Sequence, residues 1–203
     1  MMGTGRLEAF SDGVMAVAIT LLVLDLHASP EAGSSLAHQL VSEWPSFAAY
    51  LVSFFIIGII WVNHHALMAL VARVDRVLLF VNLVLLLFVT TIPFTTSTLA
   101  AYLREGGADA RVAVVLYGIS MEGMAVSFTV ILAHLVRHQL MREPVDPATG
   151  RRAVRRFGLG TLVYPLVVLV GLVSAPLMLL LYAVLAGFYV VEQTPILGRA
   201  DRG

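Results

Sequence analysis

Six stretches of apolar residues, separated by short polar segments, run along the chain. They cover residues 6–26, 45–72, 77–101, 112–135, 157–174 and 177–191. A helix needs about 20 residues, at about 1.5 Å each, to cross the hydrocarbon core of a bilayer. The first four stretches reach that length, and the last two are near the minimum. The pattern predicts an all-α fold, an integral membrane six-helix bundle forming one domain over residues 1–203. A re-entrant hairpin is the alternative for the last two stretches.

Composition supports a membrane protein. Of the 203 residues, 59% are hydrophobic and 13% are charged, whereas ordinary soluble domains carry about 25% charged residues. This excludes a water-soluble globular protein. Cysteine is absent, so disulfides, thiolate metal sites and cysteine nucleophiles are excluded. The formal net charge is zero, which gives no sign of a nucleic-acid partner.

The placement of arginine predicts the orientation in the membrane. With the N-terminus inside, the outer segments hold two arginines, Arg104 and Arg111. The inner segments then hold ten, which are Arg73, Arg76, Arg137, Arg142, Arg151, Arg152, Arg155, Arg156, Arg199 and Arg202. The positive-inside rule therefore predicts both termini in the cytoplasm, in a multi-pass protein of the plasma membrane. No small-residue cleavage site follows the first stretch cleanly, so we expect it to be retained rather than removed as a signal peptide.

Polar residues are concentrated in the first turns of the first predicted helix. Arg6, Glu8, Ser11 and Asp12 precede a segment interrupted only by Thr20 and Asp25. An ionisable group at the centre of a spanning helix costs roughly 2.5–3.5 kcal/mol on insertion scales. We therefore expect these side chains to face the interior of the bundle or a water-filled path.

The same helix carries a separate apolar stripe. At about 100° per residue, Phe10, Val17, Leu21 and Leu24 fall within about 40° of one line, with Thr20 at its edge. Periodicity alone favours a stripe that packs on neighbouring helices.

The second predicted helix offers partners for the polar residues of the first. Trp61, His64 and His65 have the spacing i, i+3, i+4, which places them on one helix face. The residues that we expect to contact this face, in the same subunit or a neighbour, are Arg6, Ser11 and Asp12. The alternative is that the two histidines only cap the cytoplasmic end of their helix. A metal site is not expected from this pair.

Glu122 is a second acidic residue within a predicted span. Tyr117, Ser120 and Arg104 are its candidate partners. Proton-coupled transport would use such a group, and structural hydrogen bonding explains it equally well. Catalytic signatures such as Gly-x-Ser-x-Gly, His-Glu-x-x-His and a phosphate-binding glycine loop are absent, so we do not expect an enzyme.

Several of these residues together resemble a known family. The string Arg6-x-x-x-Phe10-Ser11-Asp12-Gly13-Val14, the later Ile19-Thr20-Leu21-Leu22-Val23-Leu24, and Trp61-x-x-His64-His65 look like the signature of the transmembrane protein 175, or lysosomal potassium channel, family in its shorter prokaryotic form. Asn82, Pro93 and six spans in about 200 residues extend the resemblance. It covers the first hundred residues well and the second half mainly in the number of spans.

The resemblance implies a cation channel that favours K⁺, with no cofactor and with K⁺ as the permeating ion. A single six-span repeat implies a homotetramer embedded in membrane lipid, whose first helices line one central pore. It further implies a hydrophobic constriction that gates by dewetting, formed by Val17, Leu21 and Leu24 with Thr20 between them. Asp25 would lie at the outer mouth. The residues expected to hold the helices in register are Arg6, Phe10, Ser11, Asp12, Trp61, His64 and His65.

The alternative function is a proton- or substrate-coupled secondary transporter. Asp12, Glu122 and the histidines would then carry the coupling ion. The paired broken helices expected of that class are not evident in the sequence.

Overall fold

In a computed structural model, residues 4–27 and 35–191 are described, and they are almost entirely helical. The eight α-helices of these residues are α1 (Thr4–Leu21), α2 (Leu36–Ser42), α3 (Trp44–Met68), α4 (Arg76–Tyr102), α5 (Gly107–Arg137), α6 (Pro147–Thr161), α7 (Val163–Gly171) and α8 (Ala175–Val191). A 3₁₀ turn, Leu22–Asp25, continues α1. The all-α prediction is confirmed.

Five helical segments of the described residues are long and apolar enough to cross a membrane. They are Thr4–Asp25, Trp44–Met68, Arg76–Tyr102, Gly107–Arg137 and Pro147–Gly171. The sixth predicted span corresponds to a shorter apolar helix, Ala175–Val190, and its crossing of the membrane stays a prediction. The polar segment between the first two spans contains the short helix α2.

Two polar segments lie between the predicted spans, 104–111 between the third and fourth and 137–156 between the fourth and fifth, and both are shorter in the structure than the hydropathy pattern indicates. The segment 104–111 ends early, because Gly106 and Gly107, at φ +67° and +78°, make a tight turn straight into α5. The segment 137–156 is helical from Pro147 onwards, because the Asp146 carboxylate accepts the Ala148 and Thr149 N–H groups and caps α6. The last arginines of that segment are therefore on a helix and not in a loop.

α6 and α7 together form one span of 25 residues. A turn at Leu162 interrupts the helix, although this residue keeps helical angles of φ −73° and ψ −18°. Pro165 follows three residues later. Since proline has no N–H to offer the carbonyl four residues earlier, Thr161 loses its helical hydrogen bond, and the helix breaks there.

α5 is the central helix, packed against α4, α6, α7 and α8. Glycines permit these close approaches: a Cβ at Gly118 would meet Val168 of α7, and one at Gly171 would come within 2.5 Å of the Met178 sulfur. Small residues at crossings are the usual means of close helix packing in membranes.

One end of the bundle is fastened by polar contacts. Asp75 caps α4 by accepting the Leu78 N–H at 2.8 Å, and its other oxygen lies 2.7 Å from His134 Nε2 on α5. Partial burial opposes ionisation of Asp75, but the bonds from Leu78 and His134 outweigh it and lower the pKa of this carboxyl. The α3–α4 turn also pairs with the α5–α6 segment through the Val71–Met141 bridge.

Candidate functional site

α1 lies against α3 and α4 with one face, and no other described part of the subunit covers the opposite face. Its buried residues, Leu7, Ser11, Met15 and Ala18, recur at helical spacing, and Leu22 continues the row into the 3₁₀ turn. A helix whose apolar face lies against no other part of its own subunit needs lipid, a second subunit or a hydrophobic passage to cover it.

The uncovered face is the stripe expected from the sequence. Val17 is 57% exposed, Leu21 43% and Leu24 65%, and Phe10 and Thr20 are exposed on the same side. Four α-helical residues, at about 1.5 Å each, separate Val17 from Leu21 by about 6 Å. The following 3₁₀ turn rises about 2.0 Å per residue, which puts Leu24 about another 6 Å along. The three side chains therefore form three levels on one line.

Thr20 lies between these levels and is already hydrogen-bonded to its own helix. Its hydroxyl donates to the Val17 carbonyl at 2.9 Å. Because the hydrogen is directed at the backbone, the lone pairs of the oxygen point away and are available to a cation.

The two ends of the α1 segment carry exposed charges. Asp25 is exposed at the end of the 3₁₀ turn, and its carbonyl oxygen lies 3.0 Å from His27 Nδ1. Arg6 is exposed at the other end, and within the described residues it forms no hydrogen bond or ion pair. Within the described residues of this subunit, Arg6 thus makes no polar contact with the Trp61-His64-His65 face, and its expected contact there, in this subunit or a neighbour, stays a prediction.

Ser11 is joined to His64 through a residue of α4. Asn82 donates its amide N–H to Ser11 Oγ at 2.9 Å, and its amide oxygen lies 2.8 Å from His64 Nε2. Ser11 in turn donates to the Leu7 carbonyl at 2.9 Å. Since the Asn82 oxygen can only accept, His64 donates from Nε2 and Nδ1 is left unprotonated in the neutral ring. Ser11, His64 and Asn82 are fully buried, so this chain of bonds connects α1, α4 and α3 inside the bundle.

Asp12 makes a second, direct contact between α1 and α3. The Trp61 indole N–H donates to an Asp12 carboxylate oxygen at 2.9 Å, and the His65 ring stacks against the indole at 6.3 Å between centroids. The expected single Trp-His-His face is therefore divided. Trp61 and His65 lie on the outside, and His64 points into the core.

The role of Asn82 was not predicted from the sequence, although the residue itself stood out. A lone amide within a 27-residue apolar helix has to find partners, because an unpaired buried amide is costly. That signal identifies Asn82 as part of a network, but it does not identify the partners.

A second missed cluster joins α3, α4 and α5. Ser53 Oγ lies 2.8 Å from Thr96 Oγ1 and 3.0 Å from the Tyr117 hydroxyl. Tyr117 is thus not a partner of Glu122, which corrects one of the expectations above.

The other expected partners of Glu122 are also engaged elsewhere. Ser120 bonds Thr91 at 2.9 Å, and Arg104 donates to the Ser42 carbonyl at 2.6 Å. One Glu122 carboxyl oxygen is buried with no hydrogen-bond partner in the described part of the chain. The 4–27 and 35–191 ranges contain no group of three His, Cys, Asp or Glu residues arranged to hold a metal.

Comparison with known proteins shows that the chain is similar to a family of potassium channels. The family model described as the endosomal/lysosomal potassium channel TMEM175 matches residues 6–93. A potassium channel of Streptomyces collinus is 48% identical over 195 residues, covering 95% of this chain and 94% of that protein. The crystal structure of a lysosomal potassium-selective channel TMEM175 homolog from Chamaesiphon minutus matches with a TM-score of 0.79 and 36% identity, over 93% of this chain and 96% of that one. The human endosomal/lysosomal proton channel TMEM175 is 34% identical over 109 residues, which are 49% of this chain and 22% of that protein.

Proposed function

The chain belongs to the TMEM175 channel family, and from this premise we propose that it forms a potassium-selective cation channel. The channel is a homotetramer in which four copies of α1 surround one central pore. Each subunit supplies a single six-span domain. K⁺ is the permeating ion, and no cofactor, nucleic acid or enzymatic step takes part.

The observation that carries this proposal is the uncovered apolar face of α1. One helix cannot enclose a path for an ion, whereas four symmetry-related helices can, and closed point-group symmetry is the usual arrangement of soluble homo-oligomers. Val17, Leu21 and Leu24 point away from their own subunit. Four copies of each then form three apolar rings.

These rings act as a gate by excluding water. A hydrophobic constriction that is too narrow to stay hydrated blocks ions without any moving plug. Val17 is one carbon smaller than leucine, so its ring is wider, and the two leucine rings set the barrier. Thr20 offers oxygen lone pairs between the rings to an ion that has lost part of its water.

Charges at the ends of the path favour cations. Asp25 is exposed directly beyond Leu24, so four copies place four carboxylates at one mouth. A ring of one sign in a low-dielectric channel raises the local concentration of the opposite ion.

The polar contacts of α1 hold the pore helix in register. The Ser11–Asn82–His64 bonds and the Asp12–Trp61 bond lie on the side facing α3 and α4, away from the ion. Their role is to fix the rotation of α1 and thereby the direction of the stripe.

The protein is a multi-pass membrane protein, and its place is the plasma membrane with both termini in the cytoplasm. The arginine-rich end of the bundle, which includes the α3–α4 turn and α6, supports this orientation through the positive-inside rule.

Substitutions in the rings test the channel proposal. We expect Leu21→Asn and Leu24→Asn to raise the leak current of the purified protein in planar bilayers and to bring the reversal potential under a K⁺/Na⁺ gradient closer to zero. Leu180→Asn, at a 58% exposed position of α8, is the matched control and should leave both quantities unchanged. Unchanged currents in both ring variants would remove α1 from the pore. Slow, saturable flux without unitary current steps would instead support a coupled transporter.

A further inference from the structure

α6 presents four arginines on one exposed face. Arg151, Arg152, Arg155 and Arg156 are all exposed, and their spacing of i, i+1, i+4, i+5 confines them to an arc of about 140° at about 100° per residue. We call these four residues the arginine face. Arg156 also has an interaction within the chain, so the argument depends on the first three.

The arginine face continues into an apolar face on the same side of the helix. Leu159, Leu162, Leu166 and Leu169 are 58%, 61%, 62% and 59% exposed, and the helical angles of Leu162 keep α6 and α7 in the same rotational register across the interruption. From Leu159 to Leu169 the rise is about 15 Å. That is half of the hydrocarbon thickness of about 30 Å, or one leaflet. The arginines therefore lie where the hydrocarbon ends and the headgroups begin.

The opposite side of α6 is occupied by protein. Gly150 is buried, and a Cβ there would meet Val136 of α5. Phe157 stacks on Phe128 of α5 with ring centroids 5.5 Å apart. Because these contacts fix the rotation of α6, the arginine face is held towards the surroundings of the bundle.

Three of the four arginines, Arg151, Arg152 and Arg155, lack carboxylate partners in the described residues. No carboxylate lies within ion-pair distance of Arg151, Arg152 or Arg155 in those ranges. Asp146 acts electrostatically on Arg151, but its carboxylate is engaged by the Ala148 and Thr149 N–H groups, each at 3.0 Å.

We propose that the arginine face and the leucines above it form a binding site for an anionic phospholipid, with the phosphate headgroup on the arginines and an acyl chain along the leucines. Charge complementarity selects the headgroup, since arginine clusters at the end of a spanning helix attract anionic lipids. The exposed leucines favour a lipid over a soluble anion, because only a lipid has an acyl chain to contact them. This proposal does not depend on the protein being a channel.

Lipid binding to the full-length chain tests the proposal. The protein is purified in a neutral detergent and titrated with dioleoylphosphatidylglycerol or dioleoylphosphatidylcholine, and the bound lipid is counted by native mass spectrometry. We expect phosphatidylglycerol to bind about tenfold or more tightly than phosphatidylcholine. Each arginine near a membrane surface contributes about fivefold in affinity, so Arg151→Gln/Arg155→Gln should weaken phosphatidylglycerol at least tenfold.

Matched variants separate this site from a general charge effect. Arg73→Gln/Arg76→Gln removes the same charge from the α3–α4 turn at the same end of the bundle and should change the affinity less than threefold. Arg151→Lys/Arg155→Lys keeps the charge and should also stay within threefold. Inorganic phosphate at about 10 mM should leave the lipid bound.

Four results would overturn the proposal. They are equal affinity for the two lipids, equal losses in the two glutamine double variants, a lysine variant as weak as the glutamine variant, and displacement of the lipid by inorganic phosphate. Thermal unfolding verifies that each variant is folded before its affinity is compared, and unfolding of the exposed-face variants would itself contradict the exposed position assigned to these arginines.

Discussion

The buried amide of Asn82 allows the attachment of the first helix to be measured. Asn82→Leu keeps the size of the side chain and removes both of its hydrogen bonds. Ser11 keeps its bond to the Leu7 carbonyl, but His64, which is fully buried, loses the acceptor of its Nε2 proton. A buried donor left without a partner costs about 1–3 kcal/mol, while hydrogen bonds between membrane helices average about 0.6 kcal/mol and reach about 1.7. We therefore expect a loss of about 1–2 kcal/mol in the free energy of unfolding.

Reversible unfolding in mixed micelles, followed on titration with a denaturing detergent, measures this loss. The double variant Asn82→Leu/His64→Leu is the control, because it removes the His64 donor together with its acceptor and leaves no buried N–H unpaired. Replacing both partners of a hydrogen bond by apolar groups can be nearly neutral for stability. The double variant should thus be more stable than the sum of the two single losses predicts. If Asn82→Leu unfolds at the wild-type detergent concentration, or if the losses simply add, the hydrogen-bond chain does not stabilise the bundle.

Other contacts give shorter tests. In a double-mutant cycle of Asp12→Ala and Trp61→Phe, a charge-assisted bond of 2.9 Å should give a coupling of about 1–2 kcal/mol, and additive losses would contradict the contact. Gly171→Leu should lower the free energy of unfolding by about 1–3 kcal/mol because the Met178 sulfur occupies the space, whereas Gly58→Ala, with nothing within 4 Å of the new Cβ, should be neutral or slightly stabilising. The lowered pKa of Asp75 means that its contribution is present above the ordinary aspartate pKa and is lost as the pH falls below about 4. Asp75→Asn should flatten the pH dependence of thermal stability in that range, and an unchanged slope would show that this carboxyl does not contribute to it.

The first helix could be interpreted from sequence because two independent signals coincide there. Apolar residues at helical spacing define one line through Val17, Leu21 and Leu24, and polar residues such as Ser11 lie off that line. The spacing and the polarity of these residues together therefore predicted an apolar side and a separate polar side of α1, and the exposure of these residues agrees with that division. Periodicity alone, however, favoured protein packing for the stripe, which lies against no other described part of the subunit.

The partners of the polar residues were harder to predict, because they depend on which helices are neighbours. Asn82 is 71 residues from Ser11 in the chain, and no local pattern relates the two. Glu122 shows the opposite difficulty: the sequence offers three partners for it, and all three make their hydrogen bonds elsewhere. The start of α6 was missed because a run of arginines resembles a loop in hydropathy, although Asp146-Pro147 is a common helix start.

The hydrogen-bonded side and the exposed apolar side of α1 belong to one helix, so a movement of one side moves the other. A substitution that weakens the attachment of α1 to the bundle should therefore also affect the proposed ion conduction. From Ser11, the positions Val17, Thr20 and Leu21 lie at about 240°, 180° and 280° around the helix at about 100° per residue, and the 3₁₀ turn, at about 120° per residue, puts Leu24 at about 280°. The bond of Ser11 to Asn82 thus points directly away from Thr20 and lies about 80° to 120° away from the three apolar residues. If the loss of that bond allows α1 to rotate about its axis by a few tens of degrees, all three apolar levels turn by the same angle, because they lie on one helix. Asn82→Leu should therefore change the conductance of the proposed channel as well as its stability. Leu21→Asn should change conductance with little effect on the free energy of unfolding, since the Leu21 side chain is exposed on the outside of its own subunit.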